Sequence, residues 1–131
     1  MAFLFETSVA IALRDGSPSI LERVARLRSA SLSIVSVVEL HGGVARSTEG
    51  RLQRAAALAE LLSSLKVLDF GIEESAVYSR VVNELGFSRS KVLDRMIAAQ
   101  AIVAGATLAT LNPRNFRNIP DLVVEDWSVG A

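Results

Sequence analysis

Met96-Ile-Ala-Ala-Gln-Ala-Ile-Val-Ala-Gly-Ala-Thr-Leu-Ala-Thr-Leu-Asn-Pro113 is the stretch on which the fold turns. It carries no charged side chain and is long enough to raise the question of a membrane span. Gln100, Gly105, Thr107, Thr110 and Asn112 punctuate it, however, and Gly105 divides it into a helix-like and a strand-like half. The reading is a buried helix from about Ser90 to Ala104, stopped at Gly105, followed by a buried strand from Ala106 to Leu111. A helix feeding a buried strand is the repeating unit of a parallel α/β sheet.

The same alternation extends in both directions from this point. Upstream, Phe3–Phe5 is a short apolar run suited to a central strand. Ser17-Pro18 is a helix start, with serine as N-cap and proline at the first helical position. Ile20, Leu21, Val24 and Leu27 then share one helical face. Leu32–Val35 reads as the second strand, and Ser36-Val37-Val38-Glu39 opens another helix, with a break expected near Gly42-Gly43. Glu49–Leu65 carries an apolar helical stripe, Lys66–Phe70 reads as a strand, and Ile72, Ala76, Val77 and Val81 mark a helix stopped near Gly86. Downstream, a polar loop through Asn112-Pro113-Arg114-Asn115 precedes a last strand, Leu122–Glu125. These segments predict one α/β domain over residues 1–131, three-layered, with a central parallel sheet of about four to five strands flanked by helices.

Composition narrows the chemistry. The chain has 14 basic and 14 acidic side chains and is 50% hydrophobic, so it can bury a core unaided but lacks a broad positive field. Any contact with nucleic acid must therefore be local, or shared with a second subunit. Cysteine is absent, which excludes disulfides, zinc–thiolate sites and thiol nucleophiles. The single histidine, His41, cannot supply a multi-histidine metal site and is assigned no catalytic role. Met-Ala-Phe-Leu-Phe runs straight into Glu6 without a basic region or long apolar stretch, unlike a signal peptide. The expectation is a soluble, cytoplasmic protein that makes no use of the membrane. No glycine-rich phosphate loop follows a strand, so a nucleotide-binding module is disfavoured.

Ligands of parallel sheets bind beyond the carboxyl ends of the strands. Glu6-Thr7-Ser8 follows the first strand, and Glu39 stands about one turn beyond the second. Asp94 sits in the first turn of the helix before the Ala106–Leu111 strand, which itself delivers Asn112 and Asn115. Three carboxylates and an amide are thus placed to converge at one sheet edge, an oxygen-only set suited to magnesium or manganese. Plainer readings stand beside this one. Glu39 follows Ser36 at capping-box spacing, and an acid such as Asp94 is favoured near any helix start. Asn115 is a common turn residue, and Arg114 and Arg117 suit either phosphate or solvent. An unpaired Glu6 beside an apolar strand would be costly, which favours a functional role for it.

In order along the chain, these segments resemble the PIN-domain family, in particular the VapC toxins of VapBC toxin–antitoxin pairs. Phe3-Leu-Phe-Glu-Thr-Ser8 looks like the opening strand and Asp-Thr-Asn/Ser motif of that family. Ser33–Leu40 resembles the second strand and the glutamate-bearing helix, and Asp94–Ala101 is similar to the third motif. Gly105–Asn112 with Asn115-Phe116 looks like the fourth, and Val124-Glu-Asp-Trp127 resembles the VapC carboxyl end. The likeness runs over essentially the whole chain, and its specificity lies in the order of four motifs.

The resemblance implies a metal-dependent endoribonuclease that uses Mg2+ or Mn2+ held by Glu6, Glu39 and Asp94, with Asn115 completing the catalytic set. Thr7, Ser8 and Asn112 are then placed to contact the substrate phosphate. It also implies an RNA substrate, commonly tRNA or ribosomal RNA, a homodimer, and a hetero-oligomer with a small VapB-like antitoxin. Contacts with such partners are expected among the helices between Glu49 and Leu85. Two departures bear on activity: Glu6 and Asn115 stand where the family normally has aspartate. Glutamate shifts the carboxylate by roughly 1 Å, enough to cost about a hundredfold in rate. Asparagine removes a charge needed to hold two cations together, favouring a one-metal site or weak metal binding. The alternative is a degenerate PIN domain that binds RNA or an antitoxin without cutting.

Overall fold

The computed structural model describes residues 2–128; Met1 and residues 129–131, part of the expected domain span, lie outside the described residues. Strands β1 (Ala2–Phe5), β2 (Ser29–Ser33), β3 (Lys66–Leu68), β4 (Thr107–Thr110) and β5 (Val123–Asp126) form one sheet. Their order is β3-β2-β1-β4-β5, and every neighbouring pair is parallel. The helices are α1 (Thr7–Arg14), α2 (Pro18–Ala25), α3 (Ile34–Arg46), α4 (Arg51–Ser64), α5 (Ile72–Leu85) and α6 (Val92–Ala104).

Side-chain alternation along β1 shows why the sheet is covered on both faces. Phe3 and Phe5 point to one side and pack with Val9, Leu40, Leu58 and Trp127, under α1–α4. Leu4 points to the other and packs with Val81, Ile97, Leu108 and Phe116, under α5 and α6. Trp127 lies 5.5 Å from the Phe5 ring and 5.9 Å from the Phe3 ring, tying the end of β5 to the first face. The three-layer α/β expectation is therefore met, with five strands.

The deciding stretch divides as its glycine indicates. α6 ends at Gly105, whose φ of +63° lies in the left-handed region. The Ala106 amide reaches back to the Ala101 carbonyl at 2.9 Å, closing the helix before β4 begins. Among the described residues, no helix is long and apolar enough to cross a membrane.

Several local expectations are corrected. The second strand is Ser29–Ser33 rather than Leu32–Val35, and Ile34-Val35 open α3. The Ser33 hydroxyl accepts the Val35 amide at 2.9 Å and caps that helix, so capping and burial of Val35 override the β-preference of the pair. α3 runs unbroken through Gly42-Gly43, and β3 stops at Leu68. The chain also turns directly from β1 into α1, a helix that the apolar pattern did not signal.

Gln100 is the polar knot of the second face. It is 2% exposed, and its amide nitrogen donates to the carbonyls of Leu68 (2.9 Å) and Asp69 (3.2 Å). Its oxygen accepts a hydrogen bond from the Ser33 hydroxyl. One side chain on α6 thus satisfies the ends of β2 and β3. Gln100→Leu preserves volume but strands those groups, and is expected to cost about 2–3 kcal/mol, measured by urea unfolding.

Candidate active site

In a parallel sheet the crevice opens where the strand order reverses. Here β1 leads outward to β2 and β3, while β4 and β5 lie on its other side, so the reversal falls between β1 and β4. Glu6 follows β1 immediately and Thr110 closes β4. Their side chains meet across the reversal: the Thr110 hydroxyl donates to Glu6 Oε1 at 2.6 Å.

Glu6 is 6% exposed and is held from several directions. Its Oε2 accepts the Ser8 amide at 3.2 Å, making Glu6 the N-cap of α1. Its Oε1 also accepts the Ser8 hydroxyl at 2.5 Å. The Ser8 hydroxyl in turn accepts the Leu111 amide, and the Thr110 hydroxyl accepts the Asn112 amide, each at 2.9 Å. The start of α1 and the end of β4 are thereby stapled around one carboxylate.

Glu39 is reached from the same helix. The Thr7 hydroxyl donates to Glu39 Oε1 at 2.8 Å and lies 2.8 Å from the Ser36 hydroxyl. Thr7 has one hydrogen to give, so Ser36 donates to Thr7. Ser36 and Glu39 sit one turn apart inside α3, whose N-cap is Ser33. The capping-box reading of Glu39 is thus overturned: its carboxylate points into the crevice rather than at a helix start.

Asp94 lies in the first turn of α6, beyond the Arg89–Lys91 3-10 turn. Its pKa is pushed up to about 6, chiefly by burial and then by the charges of Glu6 and Glu39, with Lys91 opposing. The three acids therefore share one electrostatic neighbourhood. Among the described residues, though, no three such side chains converge into a ready-made cation cage. The donor set still suits one hard divalent ion, being all oxygen and rich in mutually repelling negative charge. Glu39 and Asp94 are both only partly buried, which leaves them room to adjust.

Asn115 lies at the turn that follows β4. It is exposed in a 3-10 turn, Pro113–Phe116, and lines a groove of about 470 Å3 with Asn112, Arg114, Arg117, Asp126 and Ser128. Its amide donates to the Asn112 carbonyl at 3.1 Å, the turn role foreseen for it. No hydrogen bond among the described residues joins its side chain to the three acids. Two participants went unseen in the sequence, Thr110 and the hydroxyl of Ser36. The strand-end rule, applied to hydroxyls as well as to acids and amides, would have found Thr110.

A family model described as the PIN domain matches residues 3–122. The chain belongs to the PIN-domain family. This PIN domain is 36% identical over 128 residues to the ribonuclease VapC1 of Rickettsia felis, covering 95% of each chain. It is 33% identical over 128 residues to the ribonuclease VapC of Rickettsia bellii, again over 95% of each. In three dimensions it is similar to a chain in the crystal structure of VapBC2 from Rickettsia felis bound to a promoter DNA fragment. That match has a TM-score of 0.84 at 29% identity, covering 97% of this chain and 99% of the other.

Proposed function

We propose that this PIN domain, a single domain over the whole chain, is a metal-dependent endoribonuclease toxin of a VapBC-type pair. The observation that carries the reading is the electrostatic neighbourhood that Glu6, Glu39 and Asp94 share beyond the strand ends, each delivered by a different element. Relatives named as ribonucleases over nearly the full chain support it. Mg2+ or Mn2+, held by these three carboxylates, would polarise the scissile phosphodiester and lower the pKa of the attacking water.

The protein's own groups have separate tasks. Ser8 and Thr110 hold Glu6, and Thr7, steadied by Ser36, holds Glu39, so the carboxylates are oriented before substrate arrives. Thr7 and Ser8 thus act mainly by positioning, while Asn112, exposed at the rim, is open to a substrate phosphate. Asn115 is assigned to the neighbouring groove, where it assists by hydrogen bonding to RNA or to water. Only three acids carry charge here, consistent with one cation. A VapB-like antitoxin, a homodimer and a cytoplasmic setting complete the proposal, supported by the VapBC complex to which the fold is similar.

The test is purified protein with manganese and total RNA. Cleavage is expected, abolished by chelator and lowered about a hundred- to thousandfold in Glu39→Gln. Cleavage indifferent to Glu39→Gln would reject the assignment. If the parent neither cleaves nor arrests growth and Glu6→Asp with Asn115→Asp creates both effects, the degenerate-domain reading holds instead.

A further inference from the structure

A second cleft opens beside Thr7 and Glu39. It holds about 210 Å3, and its wall includes Thr7, Glu39, Gly43, Arg14, Arg46 and Arg54. Three guanidinium groups thus surround a pocket that shares Thr7 and Glu39 with the acidic crevice. In a chain of formal net charge zero, this is a local concentration of cation.

Arg14 is committed to Asp15 at 3.0 Å. Among the described residues, the ion pairs seen are Arg14–Asp15 and Arg26–Glu22, and neither Arg46 nor Arg54 belongs to them. Arg54 is nevertheless held in place. Its Nη1 donates to the Ser47 hydroxyl at 2.8 Å, and that buried hydroxyl donates to the Gly43 carbonyl at 3.0 Å. Gly43 itself lines the cleft and has open space where a side chain would stand. Arg46 is exposed at the last turn of α3.

We propose that Arg46 and Arg54, backed by Arg14, form a phosphate subsite that grips the RNA backbone beside the phosphodiester to be cut. A crevice of three carboxylates repels a polyanion, and the cations that offset this must lie close by but outside the acid cluster. Guanidinium forks match phosphate oxygens in geometry and keep their charge at all working pH. The shared wall then sets register: a phosphate seated on the arginines directs its neighbour along the strand toward Glu39. The inference rests on the nuclease reading for its substrate, though not for its measurement.

Binding of fluorescein-labelled oligouridine is followed by anisotropy across a salt series, in chelator so that no cleavage intervenes. The slope of log affinity against log salt is expected to fall by about 0.7 for Arg46→Ala and about twice that for Arg46→Ala with Arg54→Ala. At 0.1 M salt, each arginine lost weakens binding about fivefold. Arg54→Lys should keep most of the slope, and Arg28→Ala, just before the amino end of β2 and so at the opposite end of the strands from the site, should leave it unchanged. Manganese-dependent hydrolysis of bis(p-nitrophenyl) phosphate, which carries no second phosphate to seat on the arginines, should change far less in the double variant than RNA binding does. Failure of that hydrolysis in the parent would count against the nuclease, while the anisotropy would still judge the subsite. Arg46 is exposed, so Arg46→Ala tests the idea even if Arg54→Ala unfolds. An unchanged slope in folded variants overturns the proposal, including where they lose a co-expressed antitoxin, which would assign the cleft to a protein carboxylate.

Discussion

Asp94→Asn is expected to remove manganese-dependent RNA cleavage, by about a hundredfold or more, while making the metal-free protein more stable. The second half follows from charge. Folding raises the Asp94 pKa from 3.8 to about 6, by burial and by repulsion from Glu6 and Glu39. Between those values the folded chain binds more protons than the unfolded one, so stability is fully present below about pH 4 and falls as pH rises through about 6. At neutral pH the ionised carboxylate therefore works against the fold. Asp94 is only partly buried, and solvent screening reduces the effect to about 1 kcal/mol. Asparagine relieves it, raising Tm by about 3–5 °C in chelator at pH 7.5 and by little at pH 4. Manganese should stabilise the parent at pH 7.5 and the variant much less. A variant that cleaves normally, or melts lower than the parent in chelator at both pH values, would remove Asp94 from the acid cluster.

Thr110→Val is expected to lower cleavage by about a hundredfold with the fold retained. The threonine touches no substrate in this scheme and acts through Glu6, whose Oε1 it holds at 2.6 Å across the β1/β4 reversal. Without that hydroxyl, Glu6 keeps Ser8 alone, and the Asn112 amide loses its acceptor. A carboxylate displaced by about 1 Å is enough for a loss of this size. Stability should fall by about 1–3 kcal/mol, chiefly from the buried hydrogen bond to the Glu6 carboxylate that is lost. The readout that separates positioning from mere stability is manganese dependence: Thr110→Val should need more metal for half-maximal rate, and Thr110→Ser should restore it. A variant with unchanged metal dependence and a rate loss explained by unfolding would make Thr110 purely structural.

Glu6 marks how far local sequence information reaches. An acid directly after an apolar strand was recognisable as costly and hence purposeful, and its place at a strand end followed from the parallel-sheet rule. That it also caps α1 was not visible, because glutamate is an unusual N-cap and α1 itself left no clear apolar stripe. Glu39 was ambiguous between a cap and a site ligand. Spacing alone could not choose, since Ser36 lies three residues before it in either case. Contact with Thr7, 32 positions away, decides the matter.

What the sequence determined by itself was the α/β architecture and the order of the acids. Both are written in local periodicity, in Gly105 between a helix and a strand, and in residues lying just past apolar runs. Short-range physics suffices for these, because burial patterns and turn chemistry act within a few residues. Only the tertiary structure decided which strand neighbours which, and therefore that β1 and β4 place Glu6 against Thr110. It also decided where β2 ends and α3 begins. The Met96–Pro113 stretch holds both lessons. Its division at Gly105 was legible at once, whereas the tasks of Gln100 and Thr110 depend on hydrogen-bond partners far away in the chain.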